Sequence, residues 1–270
     1  CRNLELLIKS RTSLIWIRTK EEERLERIIN FSCERLNIKK YVCWDCVSGI
    51  KGLVNEKGKF SNNPLGVLNW LKEQNPEIGT ILLVKDFNKF YDDPSISRTI
   101  KELSSTLKET NHSLIISSHI FPSSEELDEL MTIINLPLPN QKELKNLIKK
   151  IALNTNSNLD EQVLNELSVA SSGLTELKVK QVTAKALTQR GKISKEDIKD
   201  ILEEKKQVIA RSEILEFFEA KSSQDDIGGL NVLKVWLNQR YRAFSKEARD
   251  YGLPIPKGVL LVGAQGTGKS

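Results

Sequence analysis

A chain of 270 residues with 39% hydrophobic and 29% charged side chains can build about two domains with real cores, which excludes a small scaffold stapled by disulfides or metal. Its longest apolar runs, TILLV at 80–84 and GVLLV at 258–262, have strand length only, so no membrane span is expected. The net charge of +5 lies wholly in residues 227–270, where seven basic side chains meet two acidic ones.

Residues 1–137 alternate short apolar runs with helix-period segments. TSLIWI (12–17), YVCWD (41–45), TILLVKD (80–86), SLIISS (113–118) and MTIIN (131–135) are strand-length and rich in β-branched or aromatic residues. Between them, Leu25, Ile28, Ile29 and Leu36, then Leu65, Leu68 and Leu71, then Ile96, Ile100, Leu103 and Leu107 recur at helical spacing. Apolar strands alternating with amphipathic helices predict a parallel sheet covered on both faces. After Pro137-Leu138-Pro139 the pattern becomes purely helical over 138–209. Asn140 with Glu143 forms a predicted capping box, and Leu144, Leu147, Ile148 and Ile151 give that helix one buried face. Val163, Leu164, Leu167 and Ala170 mark a second helix ended by Gly173. Leu177, Val182 and Leu187 mark a third. Ser194 with Asp197 caps a fourth, carrying Ile198, Ile201, Leu202 and Ile209.

Residues 210–226, with the polar stretch AKSSQDD at 220–226, predict a linker. Beyond Gly228-Gly229, Leu230, Leu233, Leu237, Tyr241, Phe244 and Ala248 predict one continuous helix. Gly252, Pro254 and Pro256 end it, and GVLLV at 258–262 reads as a buried strand that opens a second α/β domain, 227–270.

The last eight residues carry the strongest chemical signal. Gly263, Ala264, Gln265, Gly266, Thr267, Gly268, Lys269 and Ser270 match GxxxxGK(S/T) directly after an apolar strand, the context in which the string denotes a phosphate-binding loop. Gly263, Gly266 and Gly268 let the backbone approach a ligand closely, so that successive N–H groups form a nest for phosphate oxygens. Lys269 is the candidate catalytic residue, reaching the β and γ phosphates as a mobile charge. Ser270 offers a hydroxyl to Mg²⁺. ATP and Mg²⁺ are therefore the expected cofactors. The chain opens at Cys1, has its one methionine at Met131 and stops inside this loop, so a fragment is expected.

DDIGGL at 225–230 followed by GLPIPKGVLLVGAQGTGKS at 252–270 resembles the opening of a AAA-type ATPase module. By that resemblance Ile227 and Gly228 touch the adenine base. Ala264-Gln265 stands where two prolines are common in such modules, a departure that removes no phosphate ligand. EFFEA (216–220), KVWLNQRYRAFSKEARDYGLP (234–254), the PLP at 137–139 and GLTELKVKQVTAKAL (173–187) make the whole chain similar to an uncharacterised AAA-type ATPase family of algal plastid genomes and cyanobacteria. The resemblance implies an ATPase-like first domain without a phosphate loop, a helical lid, and then an intact second module. It also implies a homo-oligomeric ring, an unknown protein partner, and the chloroplast stroma or a cyanobacterial cytoplasm.

The residues of the first domain agree with the loss of its phosphate loop. After the first strand, IRTKEEERLERII (17–29) contains no glycine, and Glu21, Glu22 and Glu23 repel phosphate. Asp86 ends the third long strand where a metal-organising aspartate belongs, but Phe87 stands where a water-activating glutamate is wanted. Ser117 and Ser118 fall at the position of a nucleotide sensor. Cys43 and Cys46 have CxxC spacing, yet a strand sends their thiols to opposite faces. Four cysteines in all fit a reducing compartment and a soluble intracellular protein. His112 and His119 read as solvated strand ends, and Trp16, Trp44, Trp70 and Trp236 as core or interface anchors. A tandem ATPase is thus the main reading. Its rivals are an ATPase acting on nucleic acid, which the basic segment from Lys234 to Arg249 supports less well than a solvated helix face, and a scaffold that binds nucleotide without turnover.

Overall fold

The computed structural model describes residues 2–53, 57–121, 127, 129–155, 157, 159–210, 228–254, 256–260 and 262. All five expected apolar runs become strands of one sheet, and alternate side chains serve its two faces. The strands are β1 (Leu14–Arg18), β2 (Lys40–Asp45), β3 (Gly49–Lys51), β4 (Thr80–Lys85), β5 (Ser113–Ser118) and β6 (Thr132–Asn135), ordered β3-β2-β4-β5-β1-β6. Every pairing is parallel except β2 with β3. The antiparallel β3 is an addition to the sequence reading, since three residues are too few to show a period. It begins at Gly49, whose φ of +63° suits glycine and where a Cβ would lie 2.5 Å from the Lys59 carbonyl oxygen.

Helices α1 (Arg2–Lys9) and α2 (Glu22–Leu36) pack Leu4, Leu25 and Ile29 against Ile15, Ile17, Ile81, Leu83 and Ile115. On the opposite face α3 (Pro64–Lys72) and α4 (Pro94–Thr106) pack Val67, Leu68, Ile96 and Ile100 against Trp16, Trp44, Leu82, Val84 and Ile116. The result is the expected layered α/β domain, whose period-2 strands bury side chains both ways. Trp16 and Trp44 are fully buried; Trp236 is exposed, with the Arg240 guanidinium 5.1 Å from its ring centre.

Four further helices belong to the same unit, which spans residues 1–212: α5 (Gln141–Asn154), α6 (Glu161–Ala170), α7 (Glu176–Arg190) and α8 (Asp197–Ala210). Leu144, Ile148, Leu164, Leu167, Val179, Val182 and Ile201 form their shared core. The Asn140–Glu143 capping box closes in both directions, and Thr175 caps α7 through the Lys178 N–H at 3.3 Å. At α8 the Ser194 N–H donates to the Asp197 carboxylate at 2.8 Å. Ala210 ends α8, and the remainder of the expected linker, 211–226, lies outside the described residues.

The second unit spans 213–270, and two expectations about it are corrected. The predicted continuous helix is broken into α9 (Asn231–Tyr241), a tight turn at 242–244, and α10 (Lys246–Asp250). Ser245 makes the break: its backbone is extended (φ −68°, ψ 162°), and its hydroxyl accepts from the Ala248 N–H at 3.2 Å. A serine that can cap competes with helix continuation. The expected buried strand at 258–262 is likewise not formed by its described residues, and Leu260 and Val262 are 87% and 88% exposed. A parallel strand is made by its neighbours' hydrogen bonds, and residues 228–262 hold only one such apolar run. Among the described residues of the chain, no helix is long and apolar enough to cross a membrane.

Candidate functional site

Parallel sheets bind ligands beyond the carboxyl ends of two adjacent strands whose connections leave in opposite directions. In this sheet those strands are β1, whose chain runs on to β2, and β5, whose chain crosses over β1 to β6. A cleft of about 410 Å³ opens there, lined by Thr19, Lys20, Glu22, Asp86, Asn88, Lys89 and His119. None of these is glycine, and the cleft carries two lysines against two carboxylates. It therefore lacks the backbone nest and the positive balance that a triphosphate requires.

The turn after β1 is stiff and already bonded. The Thr19 N–H donates to the Ser118 carbonyl at 3.0 Å, and its hydroxyl accepts from the Glu21 N–H at 2.9 Å. Glu21 then heads α2. Its neighbours are not free to repel an anion, as the sequence suggested, because each is paired. Glu21 meets Arg24 at 2.8 Å, Glu22 meets Lys85 at 3.5 Å and Glu23 meets Lys180 of α7 at 3.2 Å. Lys85 also holds Glu26; burial alone would lower its pKa, but these carboxylates outweigh that and keep it above the ordinary lysine value.

At the end of β4, Asp86 takes a left-handed conformation (φ 50°) and donates its N–H to the Ser117 carbonyl at 2.9 Å. Phe87 is fully buried against Trp44 and Phe90, so its position serves the core. Ser117 and Ser118 are buried, and the Ser118 hydroxyl donates to the Ile120 carbonyl.

His112 departs from expectation. It is buried, its Nδ1 accepts from the Thr80 N–H at 3.2 Å, and burial lowers its pKa. The ring is a backbone acceptor between β4 and β5; His119 is exposed as expected. Cys43 and Cys46 do face opposite sides of the sheet. Burial pushes the Cys43 thiol up to about 12 and, with Glu34 adding to it, the Cys33 thiol up to about 11. Both should stay unreacted with a disulfide reagent at pH 8 in the folded protein and react fully in denaturant; native-state labelling of Cys43, read by peptide mass, would overturn that assignment. Among the described residues no group of three or more His, Cys, Asp or Glu could hold a metal ion.

Of the candidate ligand residues in the second unit, Gly228 is described, as an exposed residue outside helix and strand. Gly229 follows with φ +73°. Ile227 and the loop Gly263 to Ser270 lie outside the described residues.

Comparison with known proteins completes the picture. Residues 1–136 match the N-terminal domain of the SpoVK-like AAA ATPases, and residues 142–212 match that family's second domain. The chain is 41% identical over 271 residues to the uncharacterized AAA domain-containing protein ycf46 of Gracilaria tenuistipitata var. liui, covering 99% of this chain and 55% of that one. With the ycf46 protein of Guillardia theta it shares 37% identity over 269 residues, covering 100% and 53%. The chain thus spans about half the length of the curated relatives it matches, and those relatives are encoded in algal plastid genomes. A RuvB variant of Thermotoga maritima has a similar fold, with a TM-score of 0.50 and 13% identity over 88% of this chain and 80% of that one. Because the N-terminal family model alone spans half the residues and the second follows it in order, the chain belongs to the SpoVK-like AAA ATPase family.

Proposed function

We propose that the protein is a tandem ATPase whose second module, beginning at residue 227, binds and hydrolyses ATP with Mg²⁺, while residues 1–137 and their helical lid, 138–209, form a non-hydrolysing platform. The observation that carries the reading is the sequence GAQGTGKS at 263–270 in a chain of AAA ATPase descent. Its donor set suits a magnesium triphosphate: backbone N–H groups around Gly263, Gly266 and Gly268 for oxygens, the Lys269 ammonium for the β and γ phosphates, and the Ser270 hydroxyl for the metal. Ala264, Gln265 and Thr267 complete the loop, and Ile227 and Gly228 line the base. The Ser270 hydroxyl would hold Mg²⁺, which when bound would supply positive charge to the phosphates. The platform reading is supported by the glycine-free cleft between β1 and β5, where Glu22 is paired with Lys85. By family the protein assembles as a homo-oligomeric ring, and it acts on a protein partner in the chloroplast stroma.

The test uses the full-length protein with labelled ATP and Mg²⁺, reading nucleotide retention, thermal protection and phosphate release. Retention with turnover is the expected result. Retention without turnover makes the protein a nucleotide-gated scaffold, and neither retention nor protection ends the proposal.

A further inference from the structure

We propose that Glu21 is a built-in anion, occupying the start of α7 where an anion from solution could otherwise bind, and that it thereby fastens the helical layer to the sheet without any ligand. This deepens the platform reading of the first module and rests on it.

The first N–H groups of a helix have no partner within the helix and, together with the helix dipole, attract negative charge. At α7, a helix of 15 residues, the Glu176 N–H donates to the Glu21 carboxylate at 2.7 Å. The second oxygen of Glu21 accepts from Arg24 at 2.8 Å. These two side chains are 5% and 7% exposed, so the pair is desolvated and its geometry is specified. Glu21 reaches this position from the turn after β1, the place from which a glycine-rich loop presents phosphate in an intact module. The turn is held by Thr19, and a carboxylate there supplies the oxygens that a phosphoryl group would otherwise bring.

Arg24 extends the joint to the hinge and to a second helix. Its guanidinium donates to the Pro137 carbonyl at 2.6 Å and to Glu143 at 3.0 Å, and its Nε lies 3.7 Å from Glu176. Glu143 is the capping-box residue of α5, and its carboxylate also accepts from the Asn140 N–H at 2.8 Å. One cation thus joins the turn after β1, the Pro137–Pro139 hinge, and the starts of α5 and α7. Outside this buried joint, Glu23 with Lys180 and Arg27 with Glu176 add further ties to α7. Without an internal anion, the start of α7 would need an external one, and the orientation of the layer would follow ligand occupancy.

The test removes the internal anion and offers one from solution. All variants carry Lys269→Ala, which removes the ammonium of the second module's loop, and the probe is inorganic pyrophosphate against chloride at equal ionic strength. Glu21→Gly should raise amide exchange over residues 176–182 by about tenfold or more, the size set by losing a charged hydrogen bond. Residues 114–116 of β5 should stay protected. Pyrophosphate should restore protection in this variant and leave the unmodified site unchanged. Glu21→Gln, which keeps the shape without the charge, should show the same loosening and carries the test if the glycine variant does not fold. The proposal is overturned if loosening is absent, if pyrophosphate fails to rescue Glu21→Gly, or if pyrophosphate protects the chain that retains Glu21. ATP turnover plays no part in the readout, so the outcome is independent of whether the second module is an ATPase.

Discussion

Lys269→Ala in the full-length protein lowers Mg²⁺-dependent ATP turnover by about a hundredfold or more, the usual cost of deleting one preorganised electrostatic donor at a reacting centre. Phosphoryl transfer asks little covalent work of a protein. Catalysis comes from placing charge against the β and γ oxygens as the bond to the leaving group lengthens. In the proposed site GAQGTGKS would contribute backbone dipoles and one mobile ammonium, and alanine would remove the ammonium alone. Lys269→Arg should not restore the rate, because a planar guanidinium cannot occupy the position of a compact ammonium on a flexible stem. Ser270→Ala should instead shift the Mg²⁺ dependence to higher concentration, since in the proposed site the hydroxyl would ligate the metal. Phosphate release at saturating ATP provides the measurement, and turnover of Lys269→Ala within threefold of the parent would sink the assignment.

Arg24→Ala destabilises the first unit by about 3–5 kcal/mol, the range for removing one partner of a buried ion pair. The cost arises from what is left behind. Glu21 keeps its buried position with one oxygen unmatched, and the Pro137 carbonyl and Glu143 lose a donor. Attraction between the charges contributes less than this desolvation, so the double variant Arg24→Met with Glu21→Gln should recover most of the loss. Arg98→Ala is the control. Its pair with Glu102 is solvent-exposed, Arg98 being 74% accessible, and the substitution should leave stability within experimental error. Urea unfolding followed by the fluorescence of buried Trp16 and Trp44 gives the values. If Arg24→Ala costs no more than Arg98→Ala, the cluster is not a structural joint.

What the sequence determined by itself is what short-range physics encodes. The apolar runs at 14–17, 81–84 and 114–116 are β-branched and aromatic enough to be strands wherever they pack. Asn140 and Glu143 close a capping box within three residues of each other, and Lys269 and Ser270 belong to the contiguous string GAQGTGKS, which is legible without any distant partner. The absence of glycine after β1 is likewise legible in the sequence. Tertiary structure decided everything whose partner is remote. Glu21, Glu22 and Glu23 read as free negative charge until folding brings the Glu176 N–H, Lys85 and Lys180 to them. His112 reads as a strand end until the Thr80 N–H, 32 residues away, is placed on its ring. Even an apolar run such as 258–262 has its described residues exposed where none of them pairs with another strand, because a ladder of hydrogen bonds belongs to pairs of strands and never to one alone.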